Sequence, residues 1–251
     1  MGVSKNKIKY IQSLKEKKIR SEHHTFVAEG TKLVLDLLAT CRCQFIAALP
    51  EILAAHPEIK AEEIVEADES DLKKATLLKT PPQAIAVFYR PEYAMENADL
   101  GNRLSLLLDS VQDPGNVGAI VRIADWFGIE TIICSPDTAD LYNPKTVQAT
   151  MGAIARVRVH YTDPVAFLRQ HTHLPVYGTF LEGADIYSEP LSVNGLIVMG
   201  SEGRGIRREV AELISRKLYI PSYPAGRATS ESLNVAAATA IVCAEFRRRG
   251  R

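Results

Sequence analysis

Long hydrophobic runs are missing from this sequence of 251 residues, and no apolar stretch reaches the length of a membrane span. The first ten residues, MGVSKNKIKY, also lack the apolar segment of a secretory signal. These absences exclude the membrane-embedded function classes. They predict a protein that is located in the cytoplasm and has no membrane partner.

Cysteine is scarce, with four residues in the chain. Cys134 and Cys243 lie in apolar runs, which is typical of buried thiols. Cys41 and Cys43 form a C-x-C pair without a second pair of ligands. The sequence therefore favours no metal site, and a zinc ion at this pair is the alternative.

Net charge is absent as well, because 30 Lys and Arg residues balance 30 Asp and Glu residues. The total charge therefore argues neither for nor against a nucleic-acid partner. The basic residues instead cluster at the two ends of the chain, at Lys5, Lys7, Lys9, Lys15, Lys17, Lys18, Arg20, Arg247, Arg248, Arg249 and Arg251. Two interpretations stay open for these basic ends, namely contact with phosphates and solvated surface.

The clearest positive pattern lies in residues 104–134. The apolar run 104–108 precedes a turn-rich loop, a helix with apolar residues at 3.6-residue spacing that ends at Gly128, and a second apolar run. This strand–loop–helix–strand order predicts a parallel α/β sheet. Asn116 and Arg122 are polar exceptions in the helix, and taken alone they fit an N-cap and a surface charge.

Similar patterns predict the remaining elements. We expect one amphipathic helix over residues 4–20, a strand over residues 155–160 and a helix over residues 207–215. Trp126 and Phe127 close the central helix, where they fit core positions, with a subunit interface as the alternative.

Two further motifs lie far downstream. Residues 196–206, LIVMGSEGRGI, place a glycine loop between a buried strand and a helix, where free backbone N–H groups meet ligands. Its G-x-x-G-x-G spacing differs from the G-x-G-x-x-G of dinucleotide folds, which disfavours an NAD site. Residues 218–221, LYIP, and residues 232–238, SLNVAAA, form the other motif.

Together and in this order, the three motifs resemble those of the SpoU (TrmH) branch of the SPOUT RNA methyltransferases, over residues 104–251. The resemblance implies an α/β domain with a parallel sheet and a C-terminal trefoil knot. It also implies S-adenosylmethionine as the cofactor, methyl transfer to a ribose 2′-hydroxyl of RNA, and a homodimer that forms through this C-terminal domain.

The resemblance also transfers functional residues position by position. The polar positions implied to be catalytic are Asn116, Arg122, Glu202, Ser232 and Asn234. The positions implied to bind the cofactor are Thr179, Gly200, Ser201, Gly203, Ile220 and Leu233. Because a guanidinium stays protonated, we expect Arg122 to bind a phosphate or to stabilise the developing alkoxide rather than to act as a base. Ordinary core packing is the alternative for Ile220 and Leu233.

The N-terminal block, residues 1–95, alternates strands and helices in the manner of a small α/β domain. It resembles the L30e-like substrate-binding domain often fused to SpoU methyltransferases, through residues 26–30 before a helix and residues 80–83 before a strand. A polar linker, residues 96–103, then precedes the methyltransferase domain, residues 104–251. The resemblance implies that the first domain binds RNA, with ribosomal RNA favoured over transfer RNA.

Three positions depart from the family pattern. Ser201 stands where Asn is frequent, Gln148 stands where Arg is common, and residues 222–231, with Arg227, form a longer loop. Three alternative functions remain: a non-catalytic RNA-binding or ribosome-assembly factor with a SPOUT fold, a methyltransferase for another RNA atom, and an α/β enzyme that binds NAD or ATP. The intact polar positions of the three motifs favour methyl transfer to ribose.

Overall fold

The computed structural model describes residues 2–95, 98–224 and 230–249. The chain forms two compact units. Unit 1 comprises Met1–Glu92 and Asp140–Arg156, and unit 2 comprises Tyr93–Ala139 and Val157–Arg251. The segment Asp140–Arg156, which carries Gln148, thus packs with the N-terminal part of the chain.

Unit 1 is built on a mixed four-stranded sheet. Its elements are α1 (Lys5–Ser13), α2 (Lys17–His23), β1 (Thr25–Glu29), α3 (Thr31–Leu38), β2 (Cys43–Ala48), α4 (Pro50–Ala55), β3 (Glu63–Glu66), α5 (Glu69–Ala75), β4 (Ala84–Tyr89), α7 (Pro144–Thr150) and a short 3-10 helix, Ala153–Ala155. The strand order is β1-β4-β2-β3, with β4 antiparallel to both neighbours and β3 parallel to β2. Phe26, Phe45 and Phe88, from three of the strands, are fully buried in this unit.

Unit 2 is built on a parallel six-stranded sheet. Its elements are β5 (Leu104–Asp109), α6 (Pro114–Trp126), β6 (Thr131–Cys134), β7 (Arg158–Tyr161), α8 (Pro164–Gln170), β8 (Val176–Asp185), β9 (Gly195–Gly200), α9 (Arg208–Ala211), β10 (Arg216–Tyr219) and α10 (Val235–Arg249). The strand order is β10-β8-β9-β5-β6-β7, and every neighbouring pair is parallel. All six residues of β5 are buried, as expected of a central strand covered on both faces. The predicted parallel α/β sheet is confirmed, and the trefoil knot stays a prediction.

The N-terminal basic segment is not the single helix that the pattern predicts. It forms α1 and α2, because the guanidinium of Arg20 donates to the carbonyls of Leu14 and Lys15 at 2.7 and 2.8 Å. In a continuous helix those carbonyls would accept from N–H groups four residues further on. Arg20 is 1% exposed and its guanidinium lies 2.6 Å from the carboxylate of Asp140. Arg20 is therefore neither a solvated surface charge nor accessible to a phosphate.

The C-terminal arginines are also bound within the protein. Arg247 donates to the carbonyls of Phe127 and Gly128 at 2.7 and 3.0 Å. Arg249 donates to the carbonyl of Glu189 at 2.6 Å, and Arg248 pairs with Glu245 at 2.8 Å. Arg247 and Arg249 are therefore not merely solvated, and contact of the basic ends with phosphates stays a prediction. Arg251 lies outside the described residues.

Three further expectations are corrected. The helix predicted over residues 207–215 is only the four residues of α9, because the chain then makes tight turns and Ser215 bonds to Val176 of β8. The strand predicted over residues 155–160 begins at Arg158, where pairing with β6 starts. Trp126 is 85% exposed and is therefore not a core residue, whereas Phe127 is half-buried.

The cysteines follow the expectation for buried thiols. Cys134 and Cys243 are fully buried, and burial raises the pKa of Cys243 to about 12. Cys41 and Cys43 are free and buried too. Within residues 2–95, 98–224 and 230–249, no group of three His, Cys, Asp or Glu side chains is arranged to hold a metal ion. None of the helices in these ranges is long and apolar enough to cross a membrane.

Candidate active site

The site residues of unit 2 gather at the carboxyl edge of its parallel sheet. Gly200 ends β9, Ile220 follows β10, and Thr179 lies in β8 one residue past its last pairing with β9. β5 ends at Asp109 beside Gly200, its register partner. Ligands of open α/β sheets bind at this edge, outside the carboxyl ends of the strands.

The start of α6 differs from the expectation for Asn116. Asp113 is the N-cap, and its carboxylate accepts the backbone N–H of Asn116 at 2.8 Å. The helix begins at Pro114, which suits a first-turn position because its missing N–H has no partner to lose there. The expectation that Asn116 caps the helix is therefore wrong. Its side chain is free to make other contacts.

A chain of hydrogen bonds joins the three motifs. The side-chain amide of Asn234 donates to Oδ1 of Asn116 at 3.0 Å, and the amide of Asn116 donates to Oε1 of Glu202. Because an ionised carboxylate only accepts, Glu202 sets the direction of the chain. Among the described residues, the other carboxylate oxygen of Glu202 has no hydrogen-bond partner. The residue is exposed, so this oxygen can accept from a ligand.

The helices α6 and α10 hold the hydrogen-bonded side chains of Asn234, Asn116 and Glu202 in place. Oδ1 of Asn234 accepts from the N–H groups of Ala236 and Ala237 at 3.0 and 3.2 Å and so caps α10. Asn116 and Asn234 join the starts of α6 and α10, and Arg247 joins α10 to the carbonyls just beyond the end of α6. The helices therefore pack side by side and are fixed at both ends.

Arg122 and Ser232 are not part of the chain of hydrogen bonds. Both side chains are exposed, and over the described ranges neither makes a hydrogen bond or an ion pair. Among the described residues, Arg122 therefore forms no ion pair with Glu202, and such a pair would have neutralised both charges. Its guanidinium remains available for a phosphate or a developing oxyanion.

The glycine loop folds into a small hairpin. Ser201 and Gly205 exchange backbone hydrogen bonds of 3.1 and 2.9 Å, and Oγ of Ser201 accepts from the N–H of Arg204 at 3.3 Å. A Cβ at Gly200 would collide with the backbone of Gly205, so only glycine fits there. A Cβ at Gly203 would meet no atom within 4 Å, so the hairpin tip is open to a ligand.

The other predicted cofactor positions lie around this edge. Thr179 is half-buried, and its hydroxyl donates to the carbonyl of Val198 at 3.4 Å. Ile220 is half-buried, and Leu233 is 48% exposed, which is unlike a core leucine. Half-buried and exposed apolar side chains at this edge of the sheet offer the kind of surface that suits a nucleoside-containing cofactor such as S-adenosylmethionine. Arg227 and half of the long loop, residues 225–229, fall outside the described residues.

Sequence reasoning missed Asp109 and Arg207. Asp109 is fully buried, and Nε and the backbone N–H of Arg207 donate to its carboxylate at 2.7 and 2.8 Å. A carboxylate that ends the apolar run LSLLLD is a signal that could have identified this residue, because buried charges need partners.

Comparison with known proteins identifies the family of the chain. The sequence model of the SpoU rRNA Methylase family matches residues 103–244. The model of the MRM3-like substrate binding domain matches residues 5–86. The first match covers more than half of the chain and contains all three motifs.

Individual relatives extend over nearly the whole chain. The 23S rRNA (guanosine(2553)-2′-O)-methyltransferase RlmP of Bacillus subtilis is 34% identical over 256 residues, covering 96% of each chain. A TrmH-family protein from Porphyromonas gingivalis has a solved structure that is 42% identical, with a TM-score of 0.90 over 99% of this chain and 100% of that one. The AdoMet-bound rRNA methyltransferase of Sinorhizobium meliloti is 27% identical, with a TM-score of 0.87 over 99% of this chain and 97% of that one. The chain belongs to the SpoU rRNA methylase family.

Proposed function

We propose that this protein is an S-adenosylmethionine-dependent methyltransferase that methylates a ribose 2′-hydroxyl of ribosomal RNA. The observation that carries the proposal is the hydrogen-bond chain of Asn234, Asn116 and Glu202, which joins three distant motifs at the carboxyl edge of the sheet. The Bacillus subtilis relative is named for this reaction on 23S rRNA, and the Sinorhizobium meliloti neighbour binds AdoMet.

The chemistry requires a weak nucleophile to be placed and polarised. An alcohol attacks poorly until its proton is held by an acceptor. S-adenosylmethionine, when bound, supplies a methyl group on a positively charged sulfur. Glu202 offers the ribose hydroxyl a carboxylate oxygen, and Asn116 holds that carboxylate in a fixed orientation through its side-chain amide.

Arg122 supplies the positive charge of the site. Its exposed guanidinium binds an RNA phosphate beside the ribose or stabilises the negative charge that develops on the 2′-oxygen. Because a guanidinium does not lose its proton near neutral pH, this role is electrostatic. Ser232 lies two residues before Asn234 and offers an exposed hydroxyl for a further contact with the substrate.

The cofactor occupies the carboxyl edge of β8, β9 and β10 in this proposal. The backbone of Gly200, Ser201 and Gly203 supplies hydrogen-bonding groups, and Thr179 closes the site on the β8 side. Ile220 and Leu233 contribute apolar surface for the adenine ring. The exposure of Leu233 and the open tip of the glycine loop support this assignment.

The remaining predictions complete the proposal. Residues 1–95 form the RNA-binding domain, which the match to a substrate-binding domain model supports. The protein acts in the cytoplasm as a homodimer formed through the C-terminal domain, residues 104–251. Trp126 on α6 is 85% exposed, and in this proposal the second copy covers it.

Transfer of labelled methyl groups to unmodified ribosomal and transfer RNA tests the proposal. We expect 2′-O-methylated nucleosides, identified by mass spectrometry, in the ribosomal RNA. Arg122→Ala should reduce transfer by about 100-fold or more, while the dissociation constant for S-adenosylmethionine stays near the wild-type value. Arg208→Ala is the matched control, because Arg208 is 88% exposed and forms a surface ion pair with Glu212.

Three outcomes would contradict the proposal. Cofactor binding without transfer to any RNA or ribosomal particle would favour a non-catalytic RNA-binding factor. Transfer to a base atom would place the protein in another branch of methyltransferases. Equal activity of Arg122→Ala and Arg208→Ala would remove Arg122 from the site.

A further inference from the structure

The glycine loop begins and ends on a single residue, Asp109. In the sheet, Asp109 is the register partner of Gly200, where the loop leaves β9. Seven residues later, the backbone N–H of Arg207 donates to Oδ2 of Asp109 at 2.8 Å. Asp109 therefore contacts both ends of the loop. Its main chain lies beside Gly200 at the first end, and its carboxylate accepts from Arg207 at the second end.

The side chain of Arg207 strengthens this closure. Its Nε donates to Oδ1 of Asp109 at 2.7 Å, and its terminal nitrogen lies 2.6 Å from the same oxygen. The hydrogen bond to Asp109 raises the pKa of Arg207. Asp109 is 0% exposed while Arg207 is 40% exposed, so the arginine reaches in from the surface to a buried carboxylate. A buried carboxylate is tolerated only with such charge-assisted partners.

Apolar packing contributes little to the order of the loop. Residues 202–205 are exposed, and Ile206 is the only buried residue between Gly200 and Arg207, a stretch that the structure describes in full. The loop is therefore shaped by polar contacts: the hairpin bonds between Ser201 and Gly205, and the Asp109–Arg207 pair at its base. Loops with little buried apolar surface open at low free-energy cost when such bonds are broken.

The position of Glu202 depends on the Asp109–Arg207 pair. Glu202 lies at the second position of the hairpin, and its carboxylate accepts from Asn116 on α6. If Arg207 separated from Asp109, the hairpin would be free to move away from α6. The backbone groups at Gly200, Ser201 and Gly203 would move with it. One pair of residues thus controls both the catalytic carboxylate and the cofactor-binding backbone.

We propose that Asp109 is a positioning residue that, together with Arg207, holds the glycine loop in its ligand-binding form before any ligand arrives. The identity of the ligand rests on the function proposed above, whereas the Asp109–Arg207 pair itself does not. A pair with a purely global role would lower the stability of unit 2 without any selective effect on the loop or on the cofactor.

Asp109→Asn is the principal variant, because it keeps the shape and one acceptor while it removes the negative charge. We expect amide hydrogen exchange in residues 200–207 of the ligand-free full-length protein to become about tenfold faster, with exchange in β5 and β9 little changed. We expect the dissociation constant for S-adenosylmethionine, measured by calorimetry, to rise about tenfold, which corresponds to about 1.4 kcal/mol. The KM for ribosomal RNA should stay within about twofold, because the replaced residue does not itself touch RNA, whereas kcat should fall because Glu202 moves with the loop.

Arg207→Gln is the second variant and covers the case in which Asp109→Asn does not fold. It keeps the backbone N–H bond to Asp109 and removes the guanidinium. We expect the same selective loosening of residues 200–207 and the same direction of change in cofactor affinity. Glu212→Gln is the matched control, because it also converts a carboxylate to an amide but in an exposed pair with Arg208.

The two proposals fail in distinguishable ways. If loop exchange and cofactor affinity in both variants equal those of Glu212→Gln, the positioning role is wrong even if the melting temperature falls. If the wild-type protein does not bind S-adenosylmethionine, the proposed function is wrong. In that case the exchange measurement still decides whether Asp109 orders the loop.

Discussion

Each unit of the protein contains a close arginine–aspartate pair that joins distant parts of the chain. In unit 1 Arg20 pairs with Asp140, and in unit 2 Arg207 pairs with Asp109, both with a nitrogen–oxygen distance of 2.6 Å. The two pairs differ in which partner is the more deeply buried: the arginine in unit 1 and the aspartate in unit 2. Arg20 is 1% exposed and its partner 14%, whereas Asp109 is 0% exposed and its partner 40%.

This difference in burial distinguishes the pair that joins two helices in unit 1 from the pair of unit 2, to which we assign a positioning role. The buried guanidinium of Arg20 also bonds to two carbonyls between α1 and α2, so it determines the backbone path of two helices. The buried carboxylate of Asp109 instead bonds to a backbone N–H at the end of an exposed loop. The same chemistry therefore fixes a helix junction in one unit and the end of the glycine loop in the other.

The largest expected effect comes from breaking the pair of unit 1. Arg20→Met should lower the free energy of unfolding by about 3–5 kcal/mol, because it leaves a partly buried carboxylate and two carbonyls without their donor. Urea denaturation measures this decrease, and binding of S-adenosylmethionine to the folded variant should be unchanged. Arg42→Met is the control, since Arg42 is 75% exposed and pairs with Glu62 at the surface. A decrease for Arg42→Met as large as that for Arg20→Met would contradict the comparison.

A second prediction concerns acid sensitivity in unit 2. The hydrogen bond from Arg248, together with that from Arg249, lowers the pKa of the buried Glu245 from 4.5 to about 2. A carboxyl whose pKa is depressed by folding stabilises the protein above its unfolded pKa and loses that contribution as the pH falls. Glu245→Gln should therefore be less stable than wild type at neutral pH, and the difference should shrink between pH 4.5 and about 2. A difference in unfolding free energy that is constant with pH would refute this.

A third prediction has the opposite sign and lies in unit 1. Burial raises the pKa of Glu29 above 4.5, although Thr76 and the N–H of Leu77 donate to its carboxylate. The folded state then binds more protons than the unfolded state, so stability falls as the pH rises from 4.5 to the raised pKa. Glu29→Gln should lack this decrease. Parallel curves of unfolding free energy against pH for wild type and variant would count against it.

The smallest effect on stability is expected for two lysines of α1 that form no ion pair with any residue that the structure describes. Lys5 and Lys9 of α1 are exposed, unlike Arg20. Replacing both with Gln should change the unfolding free energy by no more than about 0.5 kcal/mol. If α1 binds RNA, the slope of log affinity against log salt should fall by about 0.7 for each phosphate that the variant no longer neutralises. Lys73→Gln with Lys74→Gln on α5 is the matched control, and an equal slope change there would argue against a specific role for α1.

Much of the secondary structure and part of the site are readable from local sequence. The strand–loop–helix–strand order predicted over residues 104–134 is present as β5, α6 and β6. Local sequence did not predict the break in the helix of residues 4–20 or the cap of α6. Both depend on hydrogen bonds that Arg20 and Asp113 make to specific backbone groups.

The limits of the candidate site follow from the same cause. Motif spacing identifies Asn116, Glu202 and Asn234, but it does not reveal that their side chains form one hydrogen-bonded chain. Nor does it distinguish Arg207 from Arg208, which are adjacent, although one closes a loop on Asp109 and the other pairs at the surface.

Apolar periodicity, turn residues and three motifs thus suffice for the parallel sheet, the family and the polar residues of its motifs, since each is encoded within a short stretch of chain. The fold alone determines which charges are buried, because a partner such as Asp109 lies 98 positions away from Arg207. It likewise places Arg247 and Arg249 on backbone carbonyls, whereas their sequence context indicates only a basic end. Burial and pairing depend on what the folded chain brings together, and local composition carries no record of it.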